Sequence, residues 1–164
     1  MTTKLTTRII LIGILFFCVH IFPQLASAQD KSSPAKLARL LEESGNSYTK
    51  VADNIWTIAF KGKTLPEFNV VASTEQGLLF LIAIVAEKKT LKVTPPMLQK
   101  LLALNADFDR VKIGIDKEGD VFARTDLSVR TVDAQELKEN IEQLAAATDE
   151  TFAAIKPFIT IVKK

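Results

Sequence analysis

Apolar residues fall along this chain in two rhythms, one of three and four and one of two, and the changes of rhythm mark its elements. Ser33 followed by Pro34 is a helix start, an N-cap with proline in the first turn. Leu37, Leu40 and Leu41 then recur at helical spacing until Gly45 and Asn46 supply a stop. From Tyr48 the rhythm is alternating, as strands require. In Ile55 to Phe60 one face carries Trp56, Ile58 and Phe60, and the other carries Ile55, Thr57 and Ala59. The loop from Lys61 to Pro66 leads to a second strand, Phe68 to Ala72, and the turn Glu75-Gln76-Gly77 to a third, Leu78 to Ala86, which is apolar at every position. A strand with no polar face is expected to be buried on both sides, in the middle of the sheet.

Thr94-Pro-Pro96 opens a second helix, with Met97, Leu98, Leu101, Leu102 and Leu104 as a wide apolar stripe to about Phe108. A hairpin follows, Val111 to Ile115 and Val121 to Val129, joined by Asp116-Lys-Glu-Gly-Asp120, with Gly119 where a turn can need positive φ. Asp133-Ala-Gln-Glu136 is a capping-box-like start for a long last helix, whose Leu137, Ile141, Leu144, Thr148, Phe152 and Ile155 share one face as far as Pro157. Phe158 to Val162 is a short apolar tail, expected to pack as a strand or plug. The pattern predicts an α+β fold class with a sheet of about five strands and helices packed on it, in the order α-β-β-β-α-β-β-α.

The amino-terminal residues obey neither rhythm. Met1 to Arg8 carries two positive charges, and Ile9 to Phe22 is apolar except for His20. Pro23 ends the run, and Ala26-Ser27-Ala28 offers small side chains where a signal peptidase needs them. A signal peptide over residues 1–28 is expected, cleaved after Ala28, and with it a periplasmic or secreted location. A membrane anchor would need about 20 apolar residues, and this run is shorter. A lipoprotein would use Cys18, but Phe16 and Phe17 stand where small residues belong. Cleavage would leave residues 29–33 as a disordered leader and 34–164 as a single domain, 136 residues in all and enough for one core. No stable membrane span would then remain.

Cleavage also changes the chemistry. Of 21 basic residues two, Lys4 and Arg8, lie in the leader, so 19 would face 19 acidic ones. A neutral chain lacks the long-range attraction that nucleic-acid binding draws on, and none is expected. The basic clusters Lys88, Lys89, Lys92 and Lys163, Lys164 read as a solvated loop and tail. The one cysteine, Cys18, and the one histidine, His20, lie in the leader as well. A mature domain without either builds no disulfide, thiol nucleophile, Ser-His-Asp triad or histidine-ligated zinc. The alternating acids Asp116, Glu118 and Asp120 lack the register and distal glutamate of a calcium loop and read as a plain turn. Neither a metal nor another cofactor is expected.

The element order, with Leu101-Leu-Ala-Leu-Asn105, then Val111-Lys-Ile-Gly-Ile-Asp116, Glu118-Gly119-Asp120-Val121 and the stretch from Asp126 to Leu137, resembles the YbjN-like family over roughly residues 35–155. That family is described as sensory transduction regulators and looks like the type III secretion chaperone fold. The resemblance implies an antiparallel sheet with helices packed on it, often dimeric, that binds polypeptide segments and turns over no substrate. It carries no functional residue across.

Three functions stay open on these grounds. The first is an exported, non-catalytic binding module for a protein or extended peptide, with an exposed sheet edge at Ile55 to Phe60 and with Trp56 and Phe60 as apolar contact candidates against their ordinary role in a core. The second is a carrier of a small apolar ligand or lipid, held between the sheet and the long helix. The third is a carboxylate-dependent enzyme using Asp107 with Asp109, or Asp116 with Asp120.

Overall fold

Helix α1 (Ser32–Ser44) ends at Gly45, whose φ of +74° costs no side-chain clash, and the chain turns into a continuous run of four strands. These are β1 (Thr49–Ala52), β2 (Ile55–Phe60), β3 (Phe68–Glu75) and β4 (Leu78–Ala86). Helix α2 (Pro95–Asp107) intervenes before β5 (Lys112–Ile115) and β6 (Val121–Ser128), and the long α3 (Ala134–Ile155) follows. This computed structural model describes residues 32–160; the expected signal peptide, its cleavage site and the end of the apolar tail lie outside the described residues. No helix among the described residues is long and apolar enough to cross a membrane.

The strands form one antiparallel sheet in the order β1-β2-β3-β4-β6-β5. The expected α+β class and helix positions hold, with a sixth strand added. That strand, β1, lies inside the stretch that alternates from Tyr48 but is exposed at all four positions, so no buried face sets it apart as a strand of its own. It pairs with β2, so Ile55–Phe60 is not a free edge. Asn54, at φ +60° in the tight β1–β2 turn, accepts the Thr74 N–H and hydroxyl through its side chain and fastens this turn to β3.

All three helices lie against the same face of the sheet. Helix α3 packs on β4, β6 and β3, α1 on α3 and β3, and α2 on α3 and β5. The layer between is filled by Val70, Leu79, Leu81, Val121, Leu137, Ile141 and Leu144, all at 0% exposure. Two N-caps are those the sequence predicts: Thr94 accepts from Met97 N–H, and Asp133 accepts from Glu136 N–H at 2.8 Å; α1 instead begins at Ser32, so the expected cap Ser33 is already inside the helix. Asn105 at the end of α2 copies a strand, donating to Ile113 O at 3.0 Å and accepting from Ile113 N–H at 2.8 Å, which closes the outer side of β5. The apolar tail is tied back by a bridge between Leu91 and Ile159 and by Thr160 N–H on Thr90 O at 2.7 Å.

One expectation is overturned. Strand β4 is central, but it is not buried on both sides, because no helix covers its second face among the described residues. Side chains alternate across a strand, and here Leu79, Leu81 and Ala83 point into the helical layer while Leu78, Phe80, Ile82 and Ile84 point away from it. Uniform apolarity marks a strand with two apolar faces, and only one of them is covered.

Candidate functional site

The uncovered face follows from register. Val71 pairs with Ile82 and Ile82 with Arg124; Phe80 pairs with Asp126, and Ile84 with Phe122. Val71, Phe80, Ile82, Ile84 and Phe122 therefore form one apolar patch across β3, β4 and β6. Ile84 is 42% exposed, Leu78 extends the patch at 41%, and the other four are half-buried. The tip of the Phe122 ring reaches over Gly114, where a Cβ would meet its Cζ at 2.8 Å, so the glycine leaves the ring room towards β5.

A charged margin borders it. Arg124 lies over the Phe80 ring at 4.5 Å from the centroid and pairs with Asp126 at 2.5 Å, and Lys112 pairs with Asp126 at 2.8 Å. Partial burial pushes the Asp126 carboxyl up. Hydrogen bonds from Arg124 and Lys112, aided by their charges, outweigh this and hold it below the ordinary carboxylate range. The trio of two cations and one anion leaves this margin with a net positive charge.

The contact candidates named from sequence lie on the opposite side. Trp56 is 4% exposed and faces the helices. Phe60, at the end of the same row, is half-buried and stacks on Phe68 with centroids 5.8 Å apart. Those two rings floor a groove of about 320 Å³ between the β2–β3 loop and α3. The loop is latched by Asp149 on α3, which accepts N–H groups from Lys63, Thr64 and Leu65 at 3.0, 2.9 and 2.7 Å. Burial raises the Asp149 carboxyl, the three backbone N–H groups and Lys63 lower it by more, and it too sits below the ordinary range.

The carboxylate pairs build turns. Asp116 Oδ1 accepts the Asp120 N–H at 2.9 Å and Asp120 Oδ1 accepts the Lys88 N–H at 2.8 Å, while Asp107 and Asp109 are exposed at the end of α2. Asp126 and Asp149, whose carboxyls do shift, shift downward, the reverse of what a general acid needs. No group of three or more His, Cys, Asp or Glu among the described residues is placed to hold a metal ion. The layer between the sheet and α3, where an apolar ligand would sit, is occupied by core side chains. Lys112, Arg124 and Asp126 were not singled out from sequence, although Phe122, Arg124 and Asp126 share a parity on their strand that places them together.

A family model for YbjN, described as "Putative bacterial sensory transduction regulator", matches residues 33–157. No curated protein matches the chain. Among solved structures, YbjN from E. coli, described as "a putative transcription regulator", is 16% identical with a TM-score of 0.55, over 77% of this chain and 94% of that one. A chain of the heterodimeric ExoU-SpcU complex from the type III secretion system of Pseudomonas aeruginosa is 16% identical with a TM-score of 0.53, over 73% and 97%. A chain of the HopA1-SchA chaperone-effector complex is 18% identical with a TM-score of 0.54, over 77% and 97%. At these identities the likeness is one of fold.

Proposed function

The chain belongs to the YbjN family, and from that premise we propose that it is a non-catalytic binding module, chaperone-like or regulatory, which docks a polypeptide on the open face of its sheet. The observation that carries this reading is the apolar patch of Val71, Phe80, Ile82, Ile84 and Phe122, left bare because all three helices take the other face. Burying a patch of several large side chains is the main driving force a partner can use, and a contiguous exposed one marks an interaction surface. Two of the similar folds come from complexes of two different proteins, which supports a protein as the occupant. The leader read from sequence supports a periplasmic or secreted site of action. Capture from an envelope extract tests the docking face: wild-type protein and the Leu102→Asp variant should retain the same partner, and Ile84→Asp should lose it. Retention by Ile84→Asp equal to wild type would refute the reading.

A homodimer is a second reading, and helix α2 favours it. Of the predicted stripe only Met97 and Leu101 are buried; Leu98 and Leu102, one turn apart, are 39% and 72% exposed. A second copy of α2 laid against them would bury both. Sedimentation should then give a dimer for wild type and a monomer for Leu102→Asp, and a wild-type monomer at high concentration refutes it.

A further inference from the structure

At one end of the sheet, across the Gly77 turn from the open face and against α1, lies a concave and strongly basic surface. Lys36, Arg39 and Arg130 line a groove of about 650 Å³ floored by Ala35, Gly77 and Val129, and no Asp or Glu lines it. Lys36 Nζ donates to Val129 O at 2.5 Å and to Arg130 O at 3.2 Å. Those carbonyls fix the ammonium in place without neutralising it. Arg39 pairs with Glu43 in an exposed contact worth little, and neither Lys36 nor Arg130 has an ion-pair partner among the described residues. Only the turn separates the groove from the apolar patch: Gly77 precedes Leu78, Leu78 pairs with Ser128, and Val129 and Arg130 follow Ser128.

We propose that this groove anchors carboxylates of the polypeptide that lies on the open face, so that the partner segment is apolar along the sheet and acidic where it passes Gly77. The proposal rests on the protein-docking reading and adds the chemistry of its partner. Concave walls reduce solvent screening, and three cations without a lining acid favour an anionic group there over a neutral or basic one. A single exposed ion pair contributes little, so several consecutive acids are required for a measurable effect.

Fluorescent decaglutamate, read by anisotropy at low ionic strength, is the probe. Binding is expected, decalysine should not bind, and Arg39→Gln with Arg130→Gln should weaken decaglutamate roughly tenfold, the scale of two exposed ion pairs, with an unchanged melting midpoint. Salt at ~0.5 M should abolish binding. The proposal is overturned if decaglutamate does not bind, if the double variant binds it within about twofold, or if an oligothymidylate displaces it as well as unlabelled decaglutamate does. Ile84→Asp separates this from the docking reading. A failure of decaglutamate beside an Ile84→Asp loss of partner removes the groove alone, and decaglutamate binding beside an unaffected partner removes the docking face alone.

Discussion

Leu81 and Ile82 are neighbours in the middle of β4, and truncating each in turn measures whether one face of the sheet is covered or both. Leu81 is 0% exposed, lies between Ala72 and Thr125 on the helix side, and sits under α3. Leu81→Ala leaves a cavity that rigid strands and a packed helix cannot fill, and should cost about 2 to 5 kcal/mol. Ile82 is half-buried between Val71 and Arg124 with no helix above it. Its truncation forfeits only part of the roughly 1.5 to 3 kcal/mol of a fully buried side chain, about 1 kcal/mol. Guanidinium melts of the two variants with unchanged slope give the difference directly. The open-face architecture requires Leu81→Ala to be the costlier by at least about 1 kcal/mol. Equal losses within about 0.5 kcal/mol would mean that both faces are covered and would remove the basis of the docking surface.

The Asp149 latch predicts that Asp149→Ala destabilises by about 1 to 2 kcal/mol, since three loop N–H groups lose their acceptor; a melt within error of wild type contradicts it. Because the folded carboxyls of Asp149 and Asp126 are lowered, the stability they contribute is complete above their unfolded values and is lost as pH falls through the folded ones. Acid melts should therefore weaken the protein less steeply in Asp149→Asn than in wild type. Gly62→Ala should act like loss of the latch, because a Cβ there overlaps the Asp149 carboxylate and comes within 2.8 Å of Leu65 O. Protein from the envelope fraction should begin at Gln29 on amino-terminal sequencing, and a species starting at Met1 contradicts export.

What the sequence made legible follows from which signals are local. Helices announced themselves through caps and three-four spacing, so Thr94 and Asp133 cap α2 and α3 as expected. Strand β1 is not set apart from β2 by the alternation that starts at Tyr48, because Thr49 to Ala52 is exposed on both faces and has no core side to mark it. The coverage of β4 is not legible in the sequence for a different reason. Apolarity reports what a surface can do, whereas coverage depends on where α1, α2 and α3 are sent by distant packing, and all three go to the side of Leu81. Trp56 and Phe60 stand out by residue type, and their parity on β2 matches that of Ile58, which faces the core. The ion trio of Lys112, Arg124 and Asp126 needs the β5–β6 register, which is long-range information.

Site-specific photo-cross-linking in cells tests the open face most directly. A photoreactive side chain is placed by Ile84→p-benzoylphenylalanine in one variant and by Lys138→p-benzoylphenylalanine, on an exposed position of α3, in another. Contact across the bare sheet predicts a discrete adduct with a second protein from position 84 and none from position 138. Adducts from position 138 alone, or an irradiated position 84 that yields no protein adduct, would contradict it.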